Sequence, residues 1–260
     1  MSPQAFLVAA CGASGLIFGS FANVLVHRLP RGESIVSPGS RCPSCGHAIA
    51  WYDNIPLVSY MILRGRCRHC GVSISPRYLL LELCLGVTWA LLPLHFGWSM
   101  ELAMALVLTL LLWVLAWIDL ETGLLPNAVT FPGIAVGILF GIALGHGQDN
   151  VIGAVAGYGI FWAVARAFLL MTGREGLGYG DFKLLAMLGA FLGWQSLPFI
   201  IFLASFSGAV ISGTYLLISR KHARIPIPFG PYLAMAGLIW LVWGVELLHW
   251  YLDVSKAWTG

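Results

Sequence analysis

Long apolar runs, separated by short polar or glycine-containing breaks, occupy most of this chain. Runs at 5–26, 78–96, 102–118, 128–144, 151–171, 197–218 and 230–252 have the length that a helix needs to cross ~30 Å of hydrocarbon. An eighth, 182–194, is shorter and holds Gly189 and Gly193; it reads as a full span, a tilted partner or a re-entrant half-helix. The pattern predicts an all-α polytopic membrane protein with about eight transmembrane helices. Composition agrees, with 59% hydrophobic and 10% charged residues and mean hydropathy +0.85, where a soluble domain carries about 25% charged residues.

The sparse cations set the orientation. Arg28, Arg31, Arg41, Arg64, Arg66, Arg68 and Arg77 lie between the first two runs, Arg174 and Lys183 flank the break after the fifth, and Arg220, Lys221 and Arg224 follow the seventh. The breaks near Gly97, His146 and Gln195 have no Lys or Arg. By the positive-inside rule the basic loops are cytoplasmic and both termini outside. No Lys or Arg precedes the first run, the reverse of a cleavable signal peptide, so it is expected to stay as a helix. Three segments follow: a first transmembrane helix (1–26), a cytoplasmic loop (27–77) and a helical membrane core (78–260).

That loop contains RCPSCGH, with Cys42 and Cys45, and RCRHCG, with Cys67 and Cys70. Two CxxC turns supply four thiolates for a tetrahedral zinc site, and in so small a segment the metal would supply much of the folding energy. A disulfide or redox pair is the weaker alternative in a reducing cytoplasm. His47 or His69 replacing one cysteine is another. Cys11 and Cys84 lie in apolar runs and read as small fillers. Between the two turns, Trp51, Tyr52 and Tyr60 mark a stretch too apolar for a flexible linker. The surrounding arginines suit anionic lipid headgroups or an acidic stretch of a partner, and nothing suggests nucleic acid.

Two acids stand at the edges of apolar runs: Asp119 in WIDLETGLLPN and Asp181 in GLGYGDFKLL. Ionisable groups there are functional candidates by default. Counting spans puts both at the cytoplasmic boundary, so a paired-carboxylate site sharing one proton is possible. Gly123 and Pro126 break the helix after Asp119, and Gly178 and Gly180 allow a sharp turn before Asp181. The plainer readings are a helix N-cap for Asp181, and for Asp119 a solvated helix end or a partner for Lys183. Glu121 and Glu175 read as surface acids. Glu82 reads as a buried acid, and Asn23 and Arg166 as polar glue between helices or lining of a substrate groove.

The order of motifs resembles the type IV prepilin peptidases, the leader peptidase/N-methyltransferases. GSFANVLVHRLP, CPSC and CRHC with NIPLVSY between them, SPRYLLLEL, IDLETGLLPN, GYGDFKLL and IPFGPYLAMAG carry the likeness over almost the whole chain. The resemblance implies that Asp119 and Asp181 are the catalytic aspartates, with Gly178, Gly180 and Lys183 forming the active-site turn. It implies cleavage of prepilins and pseudopilins after a glycine that ends a short basic leader, at the cytoplasmic face of the bacterial inner membrane. Methylation of the new N-terminus by S-adenosylmethionine would follow, although no GxGxxG marks a cofactor site. Asn127 departs from the second Asp of many relatives and cannot act as acid or base. Because the loop is itself basic, Glu33, Asp53, Glu121 or Glu175 would have to supply negative charge for a basic leader. Two rivals from other classes are a transporter or channel with a carboxylate relay and a membrane-anchored zinc adaptor without chemistry.

Overall fold

Residues 2–174, 176, 178–219 and 228–259 are described by the computed structural model; Glu175, Arg220, Lys221 and Arg224 lie outside them. The described helices are α1 (Pro3–Arg28), α2 (Val58–Ile62), α3 (Pro76–Phe96), α4 (Met100–Thr122), α5 (Asn127–Ala143), α6 (Gly147–Thr172), α7 (Tyr179–Leu192), α8 (Leu197–Ser219) and α9 (Gly230–Thr259). Among the described residues extended pairing is limited to two isolated antiparallel bridges, Arg41 with Ala48 and Arg66 with Ser73. Among the described residues six helical segments are long and apolar enough to cross a membrane, so the chain is a multi-pass membrane protein. The other two expected spans are shorter: α5 has 17 residues and α7 has 14.

That shortness has a physical consequence for α7. At 1.5 Å per residue it extends about 21 Å, less than ~30 Å of hydrocarbon, so it is too short to cross a membrane by itself. Phe182 and every residue from Leu184 to Phe191 are buried. Such all-round burial is what an entirely apolar helix requires, and α5, α6 and α9 pack around it.

The chain clusters into two compact units, residues 1–118 and 119–260. In the first, α1 and α3 approach closely because Gly15 and Gly19 face the α3 backbone; a Cβ on Gly19 would sit 2.7 Å from Glu82 Cα. This is the small-residue packing of membrane helices. Ala22, Val26, Leu81, Val114 and Ile118 form a buried cluster joining α1, α3 and α4. Trp89 Nε1 donates to Thr109 Oγ1 at 3.1 Å, and Trp113 Nε1 to Thr88 Oγ1 at 3.2 Å.

In the second unit, α6 and α7 touch backbone to backbone: a Cβ on Gly153 would overlap the Gly189 carbonyl, and one on Gly189 would overlap Gly153. Asn150 Nδ2 donates to Ala190 O at 2.7 Å and Phe191 O at 3.2 Å, satisfying carbonyls at the end of α7 that have no helical partner. Gly153→Ala is expected to destabilise the protein by about 1–3 kcal/mol through overpacking. Thermal unfolding in detergent checks this; an unchanged midpoint would show that the helices separate freely.

Candidate active site and metal centre

Asp119 lies in the last turn of α4. Gly123 ends that helix in the left-handed conformation, φ 65, with its N–H bonded to Asp119 O at 2.9 Å. Leu124 to Pro126 then lead into α5. Asp119 itself is 5% exposed, and its Oδ2 accepts the N–H of Gly230 at 2.8 Å. Gly230 is the first residue of α9, whose N–H groups lack helical acceptors and carry the positive end of the helix dipole. A buried carboxylate is thus met by a donor that the fold leaves free.

Asp181 occupies the first turn of α7, three residues after the N-cap, which is Gly178. It is therefore not the N-cap that its position in the sequence allows. Its carboxylate instead lies beside that glycine: a Cβ on Gly178 would sit 3.3 Å from Asp181 Oδ2, while the Asp181 N–H bonds to Gly178 O at 3.1 Å. Asp181 is half-buried. A Cβ on Gly180 would meet Leu125 Cβ at 2.9 Å, so the glycine turn lies against the exit from α4, and Asp119 and Asp181 are within electrostatic reach of each other. Lys183 is not the partner of Asp119: its Nζ donates to Asn127 Oδ1 at 2.6 Å and lies over the Phe131 ring.

Gly230 stood in the sequence only within IPFGPYLAMAG at the opening of the last apolar run, with no site role, because which helix start faces Asp119 is a tertiary matter. Gly230→Ala would place a Cβ 2.7 Å from Asp119 Oδ2. Displacing a reacting group by about 1 Å costs roughly a hundredfold in rate. In any activity that depends on Asp119, a loss of that order with normal expression and thermal unfolding is the expected result; full activity would show that the contact does not position Asp119.

The four sulfurs of Cys42, Cys45, Cys67 and Cys70 lie within 4.8 Å of one another. Each pair is held by the same turn. Cys42 N–H bonds to His47 O and Gly46 N–H to Cys42 O; Cys67 N–H bonds to Val72 O and Gly71 N–H to Cys67 O, all at 2.9 Å. Gly46 and Gly71 supply the left-handed residue, φ 70 and 71. Backbone N–H groups of Cys45 and Ser44 hold the Cys42 thiol down to about 6. Cys70 is pushed up to about 11: the Val72 N–H favours its anion, but burial and hydrogen bonds with the other three sulfurs outweigh it. A pre-formed thiolate beside a thiol that only a cation would deprotonate suits a metal site, and these four cysteines can hold one ion. His47 and His69 stack on each other with ring centroids 3.4 Å apart and are not in the four-sulfur cluster.

Asp53 is unsuited to the charge-supplying role. Arg68 clamps it with two hydrogen bonds, Nε to Oδ2 at 2.8 Å and Nη2 to Oδ1 at 2.6 Å, and holds its carboxyl below the usual range. Arg166 is exposed on α6. Asn23 is buried polar glue, its Nδ2 donating to Tyr78 O at 3.0 Å. Glu82 is also buried, and both line a cavity of about 530 Å³ beneath the four-cysteine loop.

The parts define the class: a polytopic helical membrane protein with two acids brought together in apolar surroundings and a four-cysteine loop able to bind metal. Residues 13–96 match the bacterial peptidase A24 N-terminal domain, and residues 106–213 the type IV leader peptidase family. The chain is 41% identical to a prepilin leader peptidase/N-methyltransferase of Stutzerimonas stutzeri, over 98% of this chain and 96% of that protein. It is 42% identical to one of Aeromonas salmonicida (strain A449), over 92% and 91%, and 41% identical to one of Pseudomonas aeruginosa, over 93% and 92%. No solved structure matches significantly. The chain belongs to the type IV leader peptidase family.

Proposed function

We propose that this enzyme removes the short basic leader from type IV prepilins and type II secretion pseudopilins, with Asp119 and Asp181 as the catalytic dyad. It then methylates the new N-terminus. The observation that carries the peptidase reading is the approach of the two carboxylates, Asp119 held by the Gly230 N–H and Asp181 set in the first turn of a helix too short to cross the membrane. Two acids sharing one proton perform both halves of general acid–base hydrolysis. The ionised member takes a proton from water, whose oxygen attacks the scissile carbonyl. The protonated member donates to the carbonyl oxygen as negative charge develops there, and a proton then goes to the leaving amine.

The positive-inside distribution of arginines and lysines supports a cytoplasmic-side site in the bacterial inner membrane, where a substrate's apolar helix would meet its basic leader. Anionic lipid headgroups suit the arginines of the loop. Gly178, Gly180 and Lys183 build the turn that carries Asp181, Lys183 by tying α7 to Asn127. Cys42, Cys45, Cys67 and Cys70 would hold zinc, which takes four thiolates in tetrahedral geometry and organises the loop. S-adenosylmethionine is the methyl donor, and the cavity of about 530 Å³ is of the size that small-molecule sites have, roughly 300–1,000 Å³.

Incubating the purified enzyme with a prepilin tests this. Mass spectrometry should find the chain cut after the glycine and, with S-adenosylmethionine present, heavier by one methylene at the new N-terminus. An intact prepilin would favour the zinc adaptor. A cut but unmodified product would leave a peptidase alone.

A further inference from the structure

The cavity beneath the four-cysteine loop is bounded by α1, the loop and the start of α3, all within residues 1–118. Two buried acceptors line it. Asn23 is 4% exposed; its Nδ2 donates to Gly19 O at 3.3 Å and Tyr78 O at 3.0 Å, which fixes the orientation of the amide. Its Oδ1 has no hydrogen-bond partner. A buried acceptor without a donor costs free energy, and here it lines a space large enough for a ligand. Glu82, 8% exposed, is the second; it accepts the Leu57 N–H at 2.9 Å, and Ser20 lines the same cavity.

The Leu57 contact is made at a cost. Leu57 has φ 60 and ψ -50, with Val58 N–H bonded to Pro56 O at 2.6 Å, the rare, strained form of the γ-turn. A leucine disfavours positive φ, and strain of this kind concentrates where it orients a functional group. The strained turn aims an N–H at Glu82 and holds its carboxylate at the cavity wall.

On the reading that the enzyme methylates its product, we infer that this cavity is the methyl-transfer site, where Glu82 takes the proton shed by the substrate's N-terminal amine and Asn23 Oδ1 accepts a remaining N–H. An α-amine has a pKa of about 7.7–8.0, so near neutral pH it is mostly ammonium and has no lone pair to attack with. The carboxylate removes one proton, and the two acceptors point the nitrogen into the cavity. The bound sulfonium donor supplies an electrophilic methyl: the amine lone pair forms the N–C bond as the C–S pair returns to sulfur, leaving a neutral thioether and a secondary ammonium.

The test uses full-length wild type, Glu82→Gln and Val24→Trp, the last filling the cavity from α1. Gln matches the size of Glu82 and keeps an oxygen for the Leu57 N–H, so the strained turn keeps its partner. The fraction of cleaved product that is methylated should fall about tenfold or more in Glu82→Gln, while calorimetric affinity for S-adenosylhomocysteine changes by less than about threefold. In Val24→Trp that affinity should weaken by about tenfold or more, with metal content at the wild-type level as the check on folding. Wild-type methylation by Glu82→Gln, or unchanged binding by a metal-replete Val24→Trp, would overturn the inference. If the wild type itself yields only unmodified amine, the methyltransferase reading fails instead.

Discussion

Asp119→Ala and Asp181→Ala should each abolish leader removal, lowering the rate by about 10²–10⁴ or more, the contribution of a positioned acid or base. A proposed dyad acts as one unit, so the double variant should be no slower than either single variant beyond a small factor. Asp181→Asn is the sharper variant: it preserves size and an oxygen beside Gly178, but it cannot exchange a proton. Asp119→Asn likewise keeps an acceptor for Gly230 N–H. Both should be as inactive as the alanines while retaining metal and thermal stability. The measurement is the initial rate of prepilin cleavage by purified protein. Wild-type cleavage by either asparagine variant would reject the dyad and place the catalytic acids elsewhere in the chain.

Removing the metal should be the largest structural perturbation available. Structural zinc contributes on the order of 10–16 kcal/mol at neutral pH in small modules, more than the turns at Cys42 and Cys67 can supply with the few backbone hydrogen bonds that close them. Cys42→Ser with Cys67→Ser is expected to take bound zinc from about one per chain to near zero and to expose the arginines of the loop to trypsin. The pH dependence has a definite sign. Cys42, whose free thiol is held down to about 6 by backbone N–H groups, would have to stay deprotonated to hold a metal, so protons compete with zinc and zinc should be released on the acid side. Metal analysis after dialysis across this range decides the matter; full retention of zinc in the serine variants would remove the cysteines from the site.

Much of the fold was legible because hydrocarbon imposes a length and an apolar composition on every span. All eight apolar runs became helices, and both CxxC turns became matching knuckles with glycine at the left-handed position. What the pattern could not separate was a span from a buried core helix. The run at 182–194 is apolar for a different reason from its neighbours, since α7 is enclosed by other helices, and periodicity is silent on whether lipid or protein does the covering. Helix boundaries misled locally too. Asp181 has the residue type and flanking glycines of an N-cap, yet the helix begins earlier, at Tyr179, and puts it one turn inside. Asp53, offered by composition as a free negative charge, is committed to Arg68 through a contact between residues distant in sequence.

The sequence alone determined that this chain lives in a membrane, which residues carry ionisable chemistry there, and that four cysteines stand at metal-binding spacing, because each follows from residue type and local spacing. Only the tertiary structure decided which groups meet. It brought the Gly230 N–H to Asp119, the glycine turn of Asp181 to the exit of α4, and Asn23, Leu57 and Glu82 to one cavity. The reason is physical: a contact between distant segments depends on how helices close around small residues such as Gly19 and Gly153, and no local spacing encodes which partner a buried polar group will find.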